Sequence, residues 1–455
     1  MEKERAYKAH VVAFPVHGQG HMNPMLQFCK RLASKGLKIT VATTLSNTKS
    51  IQAASGSFTL EPIYDDCSEG GIVGPGGYKG FVERFKANGS QSLTELIKKL
   101  ENSKYPVKGL IYDANLSWAL DIARQLGLVG VAFFTQSCAA VASYYPMYYE
   151  LLDEPLPVPP FSMPGLPKLG IPDLPSFGPD MGRFPPIIMY LLKQFDGIEK
   201  ADWILFNSYD KLEEEVVKWM ANLWPVMTIG PTVPSIYLDK RVKDDENYGF
   251  NLYKPNNDAC IKWLNTKETG SVVYVSFGSA ASLNAEQMTE MACALKHNNN
   301  NFLWVVKATE ERMLPSNFVE ETAGKGLVVT WCPQLEVLAH QAIGCFISHC
   351  GWNSTVEALS FGVPVVGMPQ FLDQMVNAYF LEQVWGVGVK PSADEKGFVT
   401  GEEINRCIQE VINGERGQEI KSNAIRWKQL AKEAVDEGGS SDKHTDEIIA
   451  RVVSS

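Results

Sequence analysis

The sequence predicts an α/β protein made of two doubly wound domains, each a parallel sheet with helices on both faces. Three observations carry that prediction. The chain is 455 residues long, more than one ordinary hydrophobic core accommodates. Short apolar runs alternate with segments of helical period, the grammar of strand–helix–strand units. The grammar also starts over: a strand, a glycine turn and a helix open the chain at His10 and recur from Ser271.

His10 to Phe14 is an apolar strand, and Val16-His17-Gly18-Gln19-Gly20-His21 is the turn after it. Asn23 as cap with Pro24 at the first helical position starts a helix that Gly36 stops, because proline has no N–H to lose there. Lys38 to Thr43 is the second strand, and Gly109 to Tyr112 a short buried one. Asn115 caps a helix bearing Trp118, Ile122 and Leu126, and Phe133-Phe134-Thr135-Gln136-Ser137 comes after a further strand. Pro155 to Pro186 contains 11 prolines, so it is neither a regular helix nor an internal strand. Both a surface excursion and a lid over a binding cleft fit it. Ile229 to Asn257 is rich in Pro, Asp and Lys without a period and reads as the interdomain connection.

The second half runs Ser271 to Phe277, the turn Gly278-Ser279, and a helix from Asn284 to Leu295. Phe302 to Lys307, Gly326 to Val329, Ile343 to Ser348 and Val363 to Met368 add four strands. A last helix is expected after Glu437-Gly438-Gly439-Ser440. The expected boundaries are 1–238 for the first domain, 239–257 for the linker, 258–436 for the second domain and 437–455 for the last helix.

Composition narrows the function. A formal charge of −10, with 45% apolar and 21% charged residues, describes a globular protein without the basic face of a nucleic-acid binder. No apolar run approaches the length of a membrane span, so no stable membrane insertion is expected. The opening MEKERAYK is charged and lacks the apolar core of a signal peptide. Nine cysteines with no Cys-x-x-Cys pair fit free thiols in a reducing compartment, hence a cytoplasmic protein; a monomer is expected, although no residue pattern sets the oligomeric state. Cys345 lies inside an apolar strand, so its spacing to Cys350 is read as structural rather than metal-binding.

The chemistry concentrates between Trp331 and Gln374. Trp331 ends an apolar strand and offers a ring on which a base can stack. The strand Ile343 to Ser348 runs into His349-Cys350-Gly351-Trp352-Asn353-Ser354. With Asn353 as helix cap, that turn makes an anion seat at a helix N-terminus. Glycosylation of the Asn353 sequon would plug the seat, a further reason for the cytosol. Glu357 lies one helical turn deeper on the same face, and its carboxylate repels phosphate but can accept both hydroxyls of a ribose. Asp373 and Gln374, after the next strand, suit a ring of sugar hydroxyls.

Order and spacing resemble the signature box of the plant family 1 UDP-glycosyltransferases over all 44 positions from Trp331 to Gln374. That resemblance implies the GT-B fold, two Rossmann-like domains facing across a cleft, with the last helix crossing back to the first domain. It also implies that Trp331 stacks on uracil, the Cys332 backbone reads the base edge, and Gln334 and Glu357 reach the ribose. His349, Asn353, Ser354 and Ser279 would then hold the diphosphate. Trp352, Asp373 and Gln374, with Gly20 and Thr135, would meet the donor sugar. Gln374 at the end of the box goes with glucose in that family, so the expected donor is UDP-glucose.

A turn histidine can take a proton near neutral pH. Gln19-Gly20-His21-x-Asn-Pro matches the family's amino-terminal motif. Asp113 leaves a buried strand at the same sheet edge, where it can fix the imidazole tautomer. The resemblance makes His21 the base and Asp113 its partner. Asp113 also suits the N-terminus of the turn beyond it. No two aspartates are separated by one residue, so the Asp-x-Asp metal motif is missing and neither metal nor cofactor is expected. His17, Phe81, Phe134, Gln136, Tyr144 and Phe371 are expected around an apolar acceptor such as a terpenoid, steroid or phenolic. Ester formation on an aromatic acid is the alternative reaction. A dinucleotide oxidoreductase is disfavoured because Asn23 stands where a third glycine belongs. A non-catalytic UDP-sugar binder would leave His21 and Asp113 without a role.

Overall fold

The structure, a computed structural model, describes residues 6–44, 48, 51, 57–64, 77–150, 163–170, 173–175, 190–250, 257–395 and 397–455. It divides into two compact units. Met1–Leu169, Phe177–Asn251 and Glu433–Ser455 form the first, Gly170–Ser176 and Leu252–Lys432 the second.

The first unit holds strands β1 (His10–Phe14), β2 (Lys38–Thr44), β3 (Thr59–Ile63), β4 (Val107–Asp113), β5 (Val129–Phe134), β6 (Trp203–Phe206) and β7 (Val226–Thr228). They lie in the order β3-β2-β1-β4-β5-β6-β7, every neighbour parallel. β1 and β5 are buried along their whole length, as a sheet covered on both faces requires. The chain steps outward from β1 to β3 and then returns to the other side of β1 at β4. That switch point opens a crevice beyond the carboxyl ends of β1 and β4. Phe28 on the helix Gln19–Ser34 packs on Phe133 of β5 at 5.9 Å. The last helix, Ser440–Ser454, buries Ile448, Ile449 and Val452 in the same core.

Two helix starts differ from the sequence expectation. Gly18, not Asn23, precedes the first helix, and Pro24 lies inside it. After β4 Asp113 caps a short 3-10 turn, Ala114–Leu116, its Oδ1 accepting from the Asn115 N–H at 3.1 Å, and the helix proper, Ala119–Gln125, starts after Trp118 rather than Asn115.

The expected linker is folded rather than loose. Buried Asp245 accepts from Lys30 Nζ at 2.9 Å and from the Ser235 N–H at 2.7 Å, and Gln27 also donates to it. Arg31 meets Asp239 at 2.7 Å. These buried ion pairs hold the chain to the first unit as far as Asn251, and removing one partner of such a pair costs about 3–5 kcal/mol.

The second unit holds β8 (Val272–Ser276), β9 (Asn301–Val305), β10 (Gly326–Val329), β11 (Ile343–Ser348), β12 (Val365–Gly367) and β13 (Gly388–Val389). Their order is β10-β9-β8-β11-β12-β13, again all parallel, with the switch point between β8 and β11. Asn284 caps the next helix as expected, accepting from the Gln287 N–H at 2.8 Å. Trp304 and Phe302 both pack on Phe318 at 5.7 Å. Gly170–Ser176 belongs to this unit although the sequence places it in the first domain, and Lys390 pairs with its Asp173 at 2.8 Å. Glu433–Asp436, expected at the end of the second domain, belong to the first unit. Among the described residues no helix is long and apolar enough to cross a membrane.

Candidate active site

The first switch point carries a histidine–carboxylate pair. His21 sits in the opening turn of the helix after β1, and Asp113 is the last residue of β4. His21 Nδ1 lies 2.7 Å from Asp113 Oδ2. A carboxylate can only accept, so the proton sits on Nδ1 and Nε2 is left as the basic nitrogen. The Asp113 side chain is 1% exposed and that of His21 29%. The anchor is therefore dry while the imidazole reaches solvent. The two Asp113 oxygens have separate tasks, Oδ2 toward His21 and Oδ1 toward the Asn115 N–H. Thr135 Oγ1, just past β5, stands 3.1 Å from the same Nδ1. Gly20 is the exposed second residue of the His21 helix, and His17 is exposed on the turn before it.

Two expected pocket aromatics turn out to be core. Phe134 stacks on Phe206 at 4.8 Å, and Tyr144 is fully buried. Both follow the helix and strand periods inward, which outweighs their apolar fitness for a ligand. Gln136 stays half-buried, with Oε1 lacking a hydrogen-bond partner. Phe81 lies on the helix Gly77–Glu101, its side chain outside the described residues.

The second switch point carries a helix start. The helix after β11 runs Trp352–Phe361 with Gly351 as its cap. Asn353 is thus the second helical residue rather than the cap, and Ser354 the third. Their N–H groups belong to the first turn, where helix donors lack intrahelical partners. Cys350 turns the chain in the left-handed region at φ 62°. Its N–H donates to Ser348 Oγ at 3.1 Å, and its carbonyl accepts from Asn377 Nδ2 at 3.0 Å. Buried partners on both sides hold this strained residue.

His349 fits only because two neighbours are glycines. A Cβ on Gly278 would lie 2.8 Å from its ring, and one on Gly351 only 2.4 Å. Burial, helped by the Lys307 ammonium, lowers the His349 pKa to about 4. The ring is therefore neutral near pH 7, a hydrogen-bonding group rather than a cation. Its Nδ1 has no hydrogen-bond partner among the described residues. Ser279 is half-buried on the turn after β8.

A buried relay lies beneath the helix. Tyr274 on β8 donates to Gln334 Oε1 at 2.9 Å and lies 3.2 Å from Cys332 Sγ. Gln334 Nε2 donates to Glu357 Oε2 at 2.6 Å and to Ser354 Oγ at 3.1 Å. Trp331 is nearly buried, 9% exposed. Trp352 packs its ring on Trp385 at 6.1 Å and is buried, so its indole sits in the core of this unit. Gln374 is also turned inward. Its Oε1 accepts from the backbone N–H groups of Gln370 at 2.8 Å and Phe371 at 3.2 Å. Only its NH2 is left for a ligand, so the amide does not supply both donor and acceptor as expected. Asp373 accepts from Asn377 Nδ2 at 2.9 Å, and Phe371 packs partly against the unit's core.

Sequence reasoning missed Tyr274, Asn377 and Lys307. A signal existed for the first, since a tyrosine inside an apolar strand needs a partner for its hydroxyl. Among the described residues no three His, Cys, Asp or Glu side chains gather as a metal site.

Two open parallel sheets, one with the His21–Asp113 pair and one with the helix start after β11 at its switch point, have the architecture of the GT-B class of nucleotide-sugar transferases. The chain is a glycosyltransferase of that class and belongs to the plant family 1 UDP-glycosyltransferases. Residues 244–435 match the family described as "UDP-glucoronosyl and UDP-glucosyl transferase". The chain is 49% identical to UDP-glucosyl transferase 74CD1 of Saponaria officinalis over 100% of both chains. It is 46% identical to mogroside I-E synthase of Siraitia grosvenorii, covering 97% of this chain and 98% of that one. The solved structure of Os79 from O. sativa in complex with UDP superposes with a TM-score of 0.90 at 37% identity, covering 97% of this chain and 100% of that chain.

Proposed function

We propose that this protein transfers glucose from UDP-glucose, with inversion and without a metal, to a hydroxyl or carboxyl of a small apolar plant metabolite. The observation that carries the reading is the 2.7 Å pair between His21 Nδ1 and Asp113 Oδ2. Nε2 takes the acceptor proton while the acceptor oxygen attacks the anomeric carbon and UDP leaves from the opposite face. One displacement inverts the carbon and needs no protein nucleophile. Asp113 balances the imidazolium as it forms.

Leaving-group charge falls to the N–H groups and hydroxyls at the start of Trp352–Phe361, to Ser279, and to His349 as a neutral donor. In this reading Trp331 carries the uracil, Cys332 backbone reads its edge, and Gln334 and Glu357 hold the ribose. Asp373, the Gln374 amide NH2, Thr135 and Gly20 face the sugar. The likeness to a mogroside synthase speaks for a terpenoid-class acceptor, and the described cysteines, all free, for the cytosol.

The test is a product assay with UDP-glucose and a panel of triterpenes, sterols, flavonoids and aromatic acids, read by mass. Glucosides should form in the presence of EDTA, and UDP-galactose should be used about five- to hundredfold less well, the worth of one unpaired buried polar group. Full inhibition by chelation, restored by magnesium or manganese, overturns the metal-free mechanism. Equal efficiency with both donors overturns the glucose assignment.

A further inference from the structure

A run of hydrogen bonds with one sense links the interior of the second unit to the helix that carries Glu357. Tyr274 is fully buried, and burial lifts its hydroxyl well above the usual phenol range, so it keeps its proton. That proton goes to Gln334 Oε1 at 2.9 Å. Cys332, whose thiol burial also pushes up, keeps its proton as well. Since the tyrosine's one proton is committed, the thiol is the donor across the 3.2 Å contact between Cys332 Sγ and the Tyr274 oxygen.

An amide can be reversed end for end at little steric cost, so its orientation must be set by its partners. With Oε1 taken by the phenol, Gln334 turns Nε2 toward Glu357 Oε2 at 2.6 Å and Ser354 Oγ at 3.1 Å. Reversed, the amide would set an oxygen against the carboxylate. The chain Cys332 to Tyr274 to Gln334 to Glu357 thus ends on a charge, and each bond polarises the next.

We propose that Tyr274 is a positioning residue for nucleoside recognition: it fixes the Gln334 amide and thereby holds Glu357 at the orientation that receives a ribose. The inference rests on the reading of Glu357 as the ribose carboxylate. It assigns Tyr274 no contact with the substrate. Its effect is selective, because only contacts made through Glu357 and Gln334 depend on the phenol. Diphosphate contacts from the N–H groups of the helix N-terminus do not; the Ser354 hydroxyl, which accepts from Gln334 Nε2, is shared, but it serves UDP and its deoxy form alike and cancels in their ratio.

The experiment is calorimetric titration of the full-length protein with UDP and with 2′-deoxy-UDP, on wild type, Tyr274→Phe and Glu357→Gln. Wild type should bind UDP about ten- to a hundredfold more tightly than the deoxy form, as a pair of buried hydrogen bonds allows. Tyr274→Phe should lose about three- to tenfold of that preference, and the KM for UDP-glucose should rise more than kcat falls. Loss of fold would lower the binding stoichiometry and leave the ratio of the two affinities intact, so the two effects separate. Cys332→Ala, which removes the first donor of the chain and keeps the backbone, should shift the ratio the same way by a smaller factor. If Glu357→Gln collapses the preference while Tyr274→Phe keeps the wild-type ratio, the role of Tyr274 is refuted and the ribose reading stands. If Glu357→Gln also keeps the ratio, the ribose reading fails and this inference with it.

Discussion

The two units use one topology for opposite chemistry. In each, the chain steps outward through three parallel strands, returns beside the first, and opens a switch point, β1/β4 in one unit and β8/β11 in the other. At the first, His21 is paired to a buried carboxylate at 2.7 Å and reaches solvent. At the second, His349 has no carboxylate partner, its pKa is lowered to about 4 by burial and Lys307, and two glycines make room for it. The sheet decides where chemistry happens. The residues leaving each strand end decide which chemistry: in the proposed reading an acid at the end of β4 makes a base of a histidine, and a helix start after β11 makes an anion seat.

The largest expected effect breaks the first site. His21→Ala should lower glycosylation of a hydroxyl acceptor about a hundred- to ten-thousandfold and leave UDP-glucose affinity near wild type. Retained turnover would move the base elsewhere. An acceptor already ionised at the assay pH should suffer less, since its proton is gone.

Asp113→Asn should come next, with a rate loss on the order of tenfold or more, because an amide cannot balance the imidazolium. Its side-chain oxygen can still take the Asn115 N–H, so the melting temperature should hold. A sharp fall in stability along with activity would make Asp113 a structural residue instead.

Gly278→Ala probes the second site. The added Cβ would come 2.8 Å from the His349 ring, at a residue with φ +68°. Overpacking of that kind costs about 1–3 kcal/mol. UDP affinity should therefore fall about tenfold, measured by calorimetry, with the His21 pair untouched. Unchanged UDP binding would separate His349 from the anion seat.

The smallest effect concerns acid stability. His10, buried between the Tyr105 carbonyl and Thr40, and His349 both have pKa values lowered from 6.5 to about 4, chiefly by burial. The unfolded chain therefore binds protons first as pH falls, and stability should decline from about pH 6.5 toward about pH 4. Saturating UDP should flatten the decline, because a diphosphate at His349 favours its charged form. A melting temperature constant across that window would contradict both burial assignments.

The sequence by itself determined the two sheets, the order of their motifs and the candidate pair His21 and Asp113. Strand periods and the residues leaving strand ends are local signals, and local signals are written along the chain. The final helix was also legible as a helix from the glycines before it. Caps were less so: Asn23, Asn115 and Asn353 all suit helix starts, yet the helices start after Gly18, Trp118 and Gly351. Intrinsic preference was overruled there by where the sheet delivers the backbone.

Tertiary structure alone decided the rest. It turned Phe134, Tyr144 and Trp352 into core, because an aromatic ring suits a pocket and an interior equally and only its neighbours choose. It folded residues 239–250 onto the first unit through Asp245 and Lys30, partners 215 positions apart. It joined Tyr274 to Gln334 across 60 positions and turned the Gln374 oxygen to its own backbone. Hydrogen bonds are satisfied in space rather than along the chain. Which polar side chain supports a site and which one faces its ligand therefore depends on contacts that no local pattern encodes.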